Sequence, residues 1–223
     1  MTAQTKSYIA FFDLDRTVIS KNSGSLLLWQ AYKNRVMSTG NLINAIFQSY
    51  LYKFNLRDTN LIILKLGSWG KGLRQEIIDE LSKEVVDKYL KGSIRPEIIK
   101  EIGIHKENNA ATVILSSAIS SICEPIGRYI GVDDIICTSL EISDGILTGA
   151  PVGKFCFGDE KRIRLLSYCE QNHFNPAEAW YYADSISDLP VLEVVGHPVC
   201  VTPDKKLTRI ARERGWKIFV MVK

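Results

Sequence analysis

The stretch Tyr8-Ile9-Ala10-Phe11-Phe12-Asp13-Leu14-Asp15-Arg16-Thr17 runs five apolar residues straight into two acids and a threonine. An unbroken apolar run of that length is the pattern of a strand buried on both faces of a parallel sheet. Residues two apart in extended chain point the same way. Asp13 and Asp15 can therefore face one pocket at the strand's carboxyl end, the edge where open α/β sheets bind ligands. Two carboxylates so close repel unless a cation or proton lies between them, and hard oxygen donors call for Mg²⁺. A solvated turn or a helix cap also uses acids, but an apolar strand feeding both of them fits those readings less well.

Working outward, residues 112–115 form a second apolar run that ends in Ser116 and Ser117. Residues 134–138, 180–183, 198–201 and 217–222 repeat the habit, with helical patterns at 119–130, 159–173 and 204–214. This alternation predicts an α/β fold, a Rossmann-like parallel sheet with helices on both faces. Residues 138–148 break the rhythm, and Ser143-Asp144-Gly145 between Leu140/Ile142 and Ile146/Thr148 reads as a hairpin. The run at 180–183 leads into Asp184-Ser185-Ile186-Ser187-Asp188. If that strand neighbours the first, Asp184 and Asp188 reach the same cation; either Asp184 or Ser185 could equally cap a short helix. At the end of the second strand, the Ser116 hydroxyl and backbone N–H could hold a phosphate oxygen, although serine there is more often a turn residue. Lys161 opens a helical pattern, where most lysines are solvated.

Between about residues 21 and 93 the pattern is helical, with no strand-like run. Ile43, Phe47, Tyr50, Leu51 and Phe54 share one helix face, and Leu73, Ile77, Ile78, Leu81 and Val85 share another. Leu28, Tyr32 and Val36 suggest a third helix and residues 60–66 a shorter fourth. Four helices inserted after the first strand predict a small bundle over the sheet's ligand edge, or a subdomain that only adds stability.

Composition excludes more than it identifies. The 223 residues carry 46% apolar and 24% charged side chains, a globular mixture. The net charge of +3 supports neither nucleic-acid binding nor stable membrane insertion, and no run approaches the roughly 20 apolar residues of a membrane span. The polar start, with no secretory pattern, and five cysteines without a C-x-x-C pair lead us to expect a cytoplasmic protein with reduced thiols. Residues 149–154 imitate a phosphate loop with one residue too few between the glycines, and Phe155 stands where Ser or Thr would hold magnesium.

The order D-x-D-x-T, strand plus Ser, Lys, then strand plus D-x-x-x-D resembles the haloacid dehalogenase superfamily of phosphohydrolases over nearly the whole chain. The insertion is similar to that family's first cap type. Phe12 to Thr17, Cys156-Phe157-Gly158-Asp159-Glu160-Lys161, residues 183–190 and Gly196-His197-Pro198 leading to Asp204 are most similar to subfamily IB, the phosphoserine-phosphatase-like branch. The resemblance implies a catalytic core of residues 1–20 and 95–223 and a helical cap of residues 21–94. It implies that Asp13 attacks phosphorus to form an aspartyl-phosphate and that Asp15 serves as general acid and then base. Mg²⁺ would be held by the Asp13 carboxylate, the Asp15 backbone carbonyl and Asp184, with Asp188 in support. Ser116, with Ser117 beside it, and Lys161 would bind phosphoryl oxygens, and Thr17 would orient the first loop.

Three departures bear on the substrate. Arg16 stands where a glycine is common, and Ser187 replaces a phosphate-facing asparagine. Phosphoserine phosphatases resemble one another in a glutamate nine residues after the nucleophile, which meets the substrate's ammonium. Here that substrate-binding position is the neutral Asn22, which disfavours phosphoserine. We therefore expect a Mg²⁺-dependent phosphomonoesterase acting on a small phosphorylated metabolite or phospholipid headgroup. The alternative is a phosphotransferase or phosphomutase using the same aspartate nucleophile. A non-enzymatic binding module would usually have lost Asp13 or Asp15.

Overall fold

Strand β1 (Ile9–Phe12) is buried along its whole length. Its side chains alternate between two cores, Ile9 and Phe11 in one, Ala10 and Phe12 in the other, as the pleat requires. The structure, a computed structural model, describes residues 6–53 and 68–221. The expected short helix at 60–66 and Phe54 lie outside the described residues.

Six strands form one sheet in the order β3-β2-β1-β6-β7-β8, every pair parallel. They are β2 (Ala111–Ile119), β3 (Asp134–Thr138), β6 (Trp180–Ala183), β7 (His197–Val201) and β8 (Lys217–Phe219). The expected α/β fold with its parallel sheet is therefore the fold of this chain. Phe12 pairs with Ile114 on one side and Tyr182 on the other. The chain thus leaves β1, β2 and β6 at one sheet edge, and the order reverses about β1, which opens a crevice there.

Ile98 and Ile102 of α4 (Pro96–Glu107) and Ile122 and Ile126 of α5 (Ser120–Ile130) pack in the core that holds Phe12. On the opposite face, Leu165 and Cys169 of α6 (Asp159–Gln171) and Leu207 and Ala211 of α8 (Lys205–Glu213) join Phe11. A short α7 (Leu189–Leu192) lies between β6 and β7. None of the five cysteines is in a disulfide, and no helix among the described residues is long and apolar enough to cross a membrane.

The segment between β1 and α4 is helical: α1 (Ser23–Lys33), α2 (Thr39–Lys53) and α3 (Gln75–Val85), which runs on through a π-helical turn (Val86–Leu90). Leu27, Ala31, Ile78, Leu81 and Val85 share a core with Phe12. Of the apolar face read on the second helix, Ile43 and Phe47 are turned outward, 62% and 55% exposed, whereas Ala45 and Gln48 are buried; the side chains of Tyr50 and Leu51 lie outside those described. Periodicity shows which residues share a face; the packing partner decides which face is covered.

Where the insertion leaves and returns, two chain segments are joined by main-chain bonds: Ser20 N–H donates to the Ser93 carbonyl at 2.8 Å and Arg95 N–H to the Val18 carbonyl at 2.9 Å. The expected hairpin consists of β4 (Leu140–Ser143) and β5 (Ile146–Pro151). Asp144 and Gly145 turn it with φ of 50° and 76°, the left-handed pair that a two-residue hairpin needs. The insertion also reaches this hairpin. Gly72 N–H donates to the Leu147 carbonyl at 2.9 Å, Leu147 N–H returns a bond to Leu73 at 2.8 Å, and Gln75 N–H bonds Gly145 at 2.9 Å.

Candidate active site

Asp13 leaves β1 at the sheet edge, its N–H donating to the Tyr182 carbonyl at 2.9 Å, and its residue is 5% exposed. Oxygens of Asp13, Asp184 and Asp188 lie within 4.8 Å of one another. The structure thus brings together three of the four acids expected at a metal. Asp184 follows β6 directly, and Asp188 sits in the 3-10 turn Ile186–Asp188, which Ser185 caps through a bond from Ser187 N–H. The capping role foreseen for Ser185 and the convergence foreseen for Asp184 therefore coexist.

Lys161, 2% exposed, reaches the same point from the first turn of α6. Its Nζ donates to Asp13 Oδ1 and to Asp188 Oδ1, both at 2.7 Å, and to the Tyr181 hydroxyl at 3.2 Å. Tyr181 donates in turn to Asp188 at 2.7 Å. Burial favours the neutral amine, but the two carboxylates outweigh it and hold Lys161 well above the usual lysine range. For Asp13, burial is the largest influence and raises its carboxyl, while the Lys161 ammonium opposes that rise. Asp184 is pushed up to about 7, first by burial and then by the neighbouring Asp188 carboxylate. Fully ionised, three carboxylates against one ammonium carry a surplus of negative charge, which a divalent cation with oxygen ligands would fit.

Asp15 is held by a different element. Its carboxylate accepts from Ser23 N–H at 2.9 Å and from Asn22 Nδ2 at 3.1 Å, at the N-terminus of α1. Burial raises its carboxyl above the ordinary range, partly offset by the Ser23 N–H. Asn22 is the N-cap, its Oδ1 accepting from Ser25 N–H at 2.8 Å. One side chain therefore starts the helix and holds Asp15. The residue after Asp15, Arg16, takes a φ of 61°, in the left-handed region that favours glycine, which accounts for the glycine common at that position in the family it resembles.

The remaining expected residues divide. Ser116, expected at the end of the second strand, is buried inside β2, which runs on to Ile119 past a shift of register after Leu115, and its Oγ accepts from Ala118 N–H at 3.2 Å. Ser117 is exposed, and its carbonyl accepts from Thr138 Oγ1 at 3.0 Å. Thr17 is fully buried in the first loop, and its hydroxyl has no hydrogen-bond partner among the described residues. Residues not singled out in the sequence are Ser23 and Tyr181, and Asp204 is named there only within a motif, without a role. Asp204 caps α8 through Lys206 and Leu207 N–H at 2.8 and 2.9 Å and also accepts from Ile186 N–H at 2.8 Å, bracing the loop that carries Asp184 and Asp188. Asp204, placed by its sequence inside the helical pattern 204–214, is instead the N-cap of the helix that starts at Lys205; Ser23 acts through its backbone N–H, which has no side-chain signature.

A cleft of about 240 Å³ is lined by Asn22 and Ser23, the two residues bonded to Asp15. The residues that hold Asp15, Asn22 and Ser23, stand on one side with Ser117, Ala118 and Ile119 of β2; Leu27, Leu28 and Ile78 come from α1 and α3, Leu147 from the hairpin and Trp69 from the insertion.

Residues 10–193 match the family model of haloacid dehalogenase-like hydrolases. The chain is 27% identical to a probable phosphatase of Mycobacterium tuberculosis, over 97% of this chain and 76% of that one. It is 28% identical to a histidinol-phosphatase of Neisseria meningitidis, over 94% of this chain and 97% of that one. In fold it is similar to a phosphoserine phosphatase solved as a phospho-aspartyl intermediate analogue, with a TM-score of 0.70, 18% identity, and coverage of 98% of this chain and 95% of that one.

Proposed function

The chain belongs to the haloacid dehalogenase-like hydrolase family, and from that premise we propose that it is a Mg²⁺-dependent phosphomonoesterase working through an aspartyl-phosphate on Asp13. The observation that carries this reading is the buried Asp13 carboxylate, bonded by Lys161 and flanked by Asp184 and Asp188 within 4.8 Å. An Asp13 oxygen attacks phosphorus, the phosphorus–ester oxygen bond breaks, and the departing alkoxide takes the proton of Asp15. Water then gives a proton back to Asp15 as it attacks the acyl phosphate, which releases inorganic phosphate and restores Asp13. The raised Asp15 carboxyl suits the first half, and its bonds from Ser23 and Asn22 hold it in one orientation for both.

The residues that would hold the metal are Asp13, Asp184 and Asp188, with the Asp15 carbonyl. When bound, Mg²⁺ offsets the repulsion between a phosphate and its anionic nucleophile. Lys161 and β2 at Ser116 and Ser117 bind the phosphoryl oxygens, and residues 21–94 act as the cap that excludes bulk water. The substrate is a small phosphorylated molecule. The histidinol- and phosphoserine phosphatases it resembles differ in substrate from each other, so the leaving group has to be read from this chain's own cleft. We expect phosphate release from p-nitrophenyl phosphate with Mg²⁺ and loss of that release in EDTA, restored by added Mg²⁺; no release with any divalent metal would reject the reading.

A further inference from the structure

We infer that the alcohol this enzyme releases is apolar and carries no charge, so that its substrates are phosphomonoesters of hydrophobic alcohols. The inference rests on the phosphatase reading and adds the class of leaving group to it. The alcohol must depart toward the acid that protonates it. Asp15 is held by Asn22 and Ser23, and both residues line the 240 Å³ cleft. That cleft is therefore the space on the leaving-group side of the site.

Its lining is uniform in character. Leu27, Leu28, Ile78, Ile122, Leu147 and Trp69 make its body, and the polar members are neutral asparagine and serines. No ionisable side chain occurs among its described lining residues. An ammonium or carboxylate brought into such a cleft gives up its hydration without a partner, which is costly, whereas each methylene placed there gains from leaving water. The Asn22 amide does not replace the missing acid, because its Oδ1 already accepts from Ser25 and its Nδ2 donates to Asp15. A substrate with an amino-acid or amino-alcohol leaving group finds nothing among the described lining residues to answer its charge.

The test is a series of phosphate esters assayed with Mg²⁺: ethyl, butyl, hexyl and 2-phenylethyl phosphate against O-phosphoserine, phosphoethanolamine and histidinol phosphate. Acetyl phosphate, whose leaving group is too small to use the cleft, reports on the phosphoryl chemistry alone. We expect kcat/KM to rise about three- to fourfold per added methylene until the cleft is filled. We expect hexyl or phenylethyl phosphate to exceed each charged ester at least tenfold. Ile78→Glu should cost the hexyl ester at least ten times more in kcat/KM than it costs acetyl phosphate. Charged esters turned over as well as hexyl phosphate, or a flat alkyl series, would overturn the inference while acetyl phosphate hydrolysis upheld the phosphatase. No phosphate from any compound, acetyl phosphate included, would overturn both.

Discussion

Tyr181 and Tyr182 are neighbours on β6, yet they face opposite layers and join opposite kinds of polar network. Tyr181 sits among charges: it accepts from Lys161 and donates to Asp188, beside Asp13. Tyr182 closes a chain with one carboxylate at its end. Its hydroxyl donates to Glu101 at 2.9 Å, which leaves its oxygen to accept from His105 Nε2, so that His105 Nδ1 accepts from Tyr8, both at 2.9 Å. In the second network each group has its partner, and neutral His105 is the form that satisfies them all. In the first, negative charge outnumbers positive at a buried edge. Satisfied polar groups inside a fold stabilise it; a surplus of one sign, held in place by the fold, is ready to bind something.

The sharpest way to break this contrast is Asp13→Asn, which keeps the shape and removes the nucleophile. Turnover of p-nitrophenyl phosphate should fall by roughly 10⁴-fold or more, while the urea midpoint should hold, since Lys161 keeps Asp188. Unchanged turnover would reject Asp13 as the attacking group. Lys161→Met strands two buried carboxylates and should cost about 3–5 kcal/mol in EDTA, read from urea unfolding; a loss under 1 kcal/mol would show that the pair adds nothing to the fold.

The Tyr182 side predicts a pH effect. Burial holds His105 down at about 4, below its ordinary 6.5. Between those values the unfolded chain binds a proton that the folded one refuses, so stability rises with pH. The part that His105 contributes should be complete above pH 6.5 and be lost, up to about 3 kcal/mol, as the pH drops toward 4. The Asp184 carboxyl, raised to about 7, works in the opposite sense over the same range. His105→Asn should remove the His105 part, read as the difference between the variant's and the parent's pH profiles in chemical denaturation, and two parallel profiles would show that His105 contributes no such part. The smallest effect is that of Tyr182→Phe, about 1–2 kcal/mol, with turnover within twofold of the parent; a large loss of turnover would mean that the two networks are not separate.

Much of this molecule is legible in the sequence where side-chain pattern and backbone agree. The strands at 134–138 and 180–183 begin and end where expected, because apolar runs flanked by polar residues have one place to go. Asp13, Asp184 and Asp188 stand out because each follows closely on a strand that must be buried. What escapes is of two kinds. Tyr181 belongs to an apolar run, so its hydroxyl is hidden inside a strand assignment, and Ser23 acts through an N–H that every residue but proline has. The family resemblance makes Asn22 a substrate-binding position, and its bonds show what its place in the sequence does not, that it is also a cap and a clamp on Asp15. The outward face of α2 is a third lesson, since periodicity has no knowledge of what packs on it.

The bonds between residues 72–75 and the hairpin at 145–147 run from main chain to main chain. Such a seam does not read side chains. Leu73, Arg74 and Ile146 can be exchanged over evolutionary time without parting the insertion from the hairpin, and both contribute walls to the cleft. Lineages descending from a common ancestor could thus retune which alcohol is released one wall residue at a time, while the attacking aspartate and its lysine stay as they were.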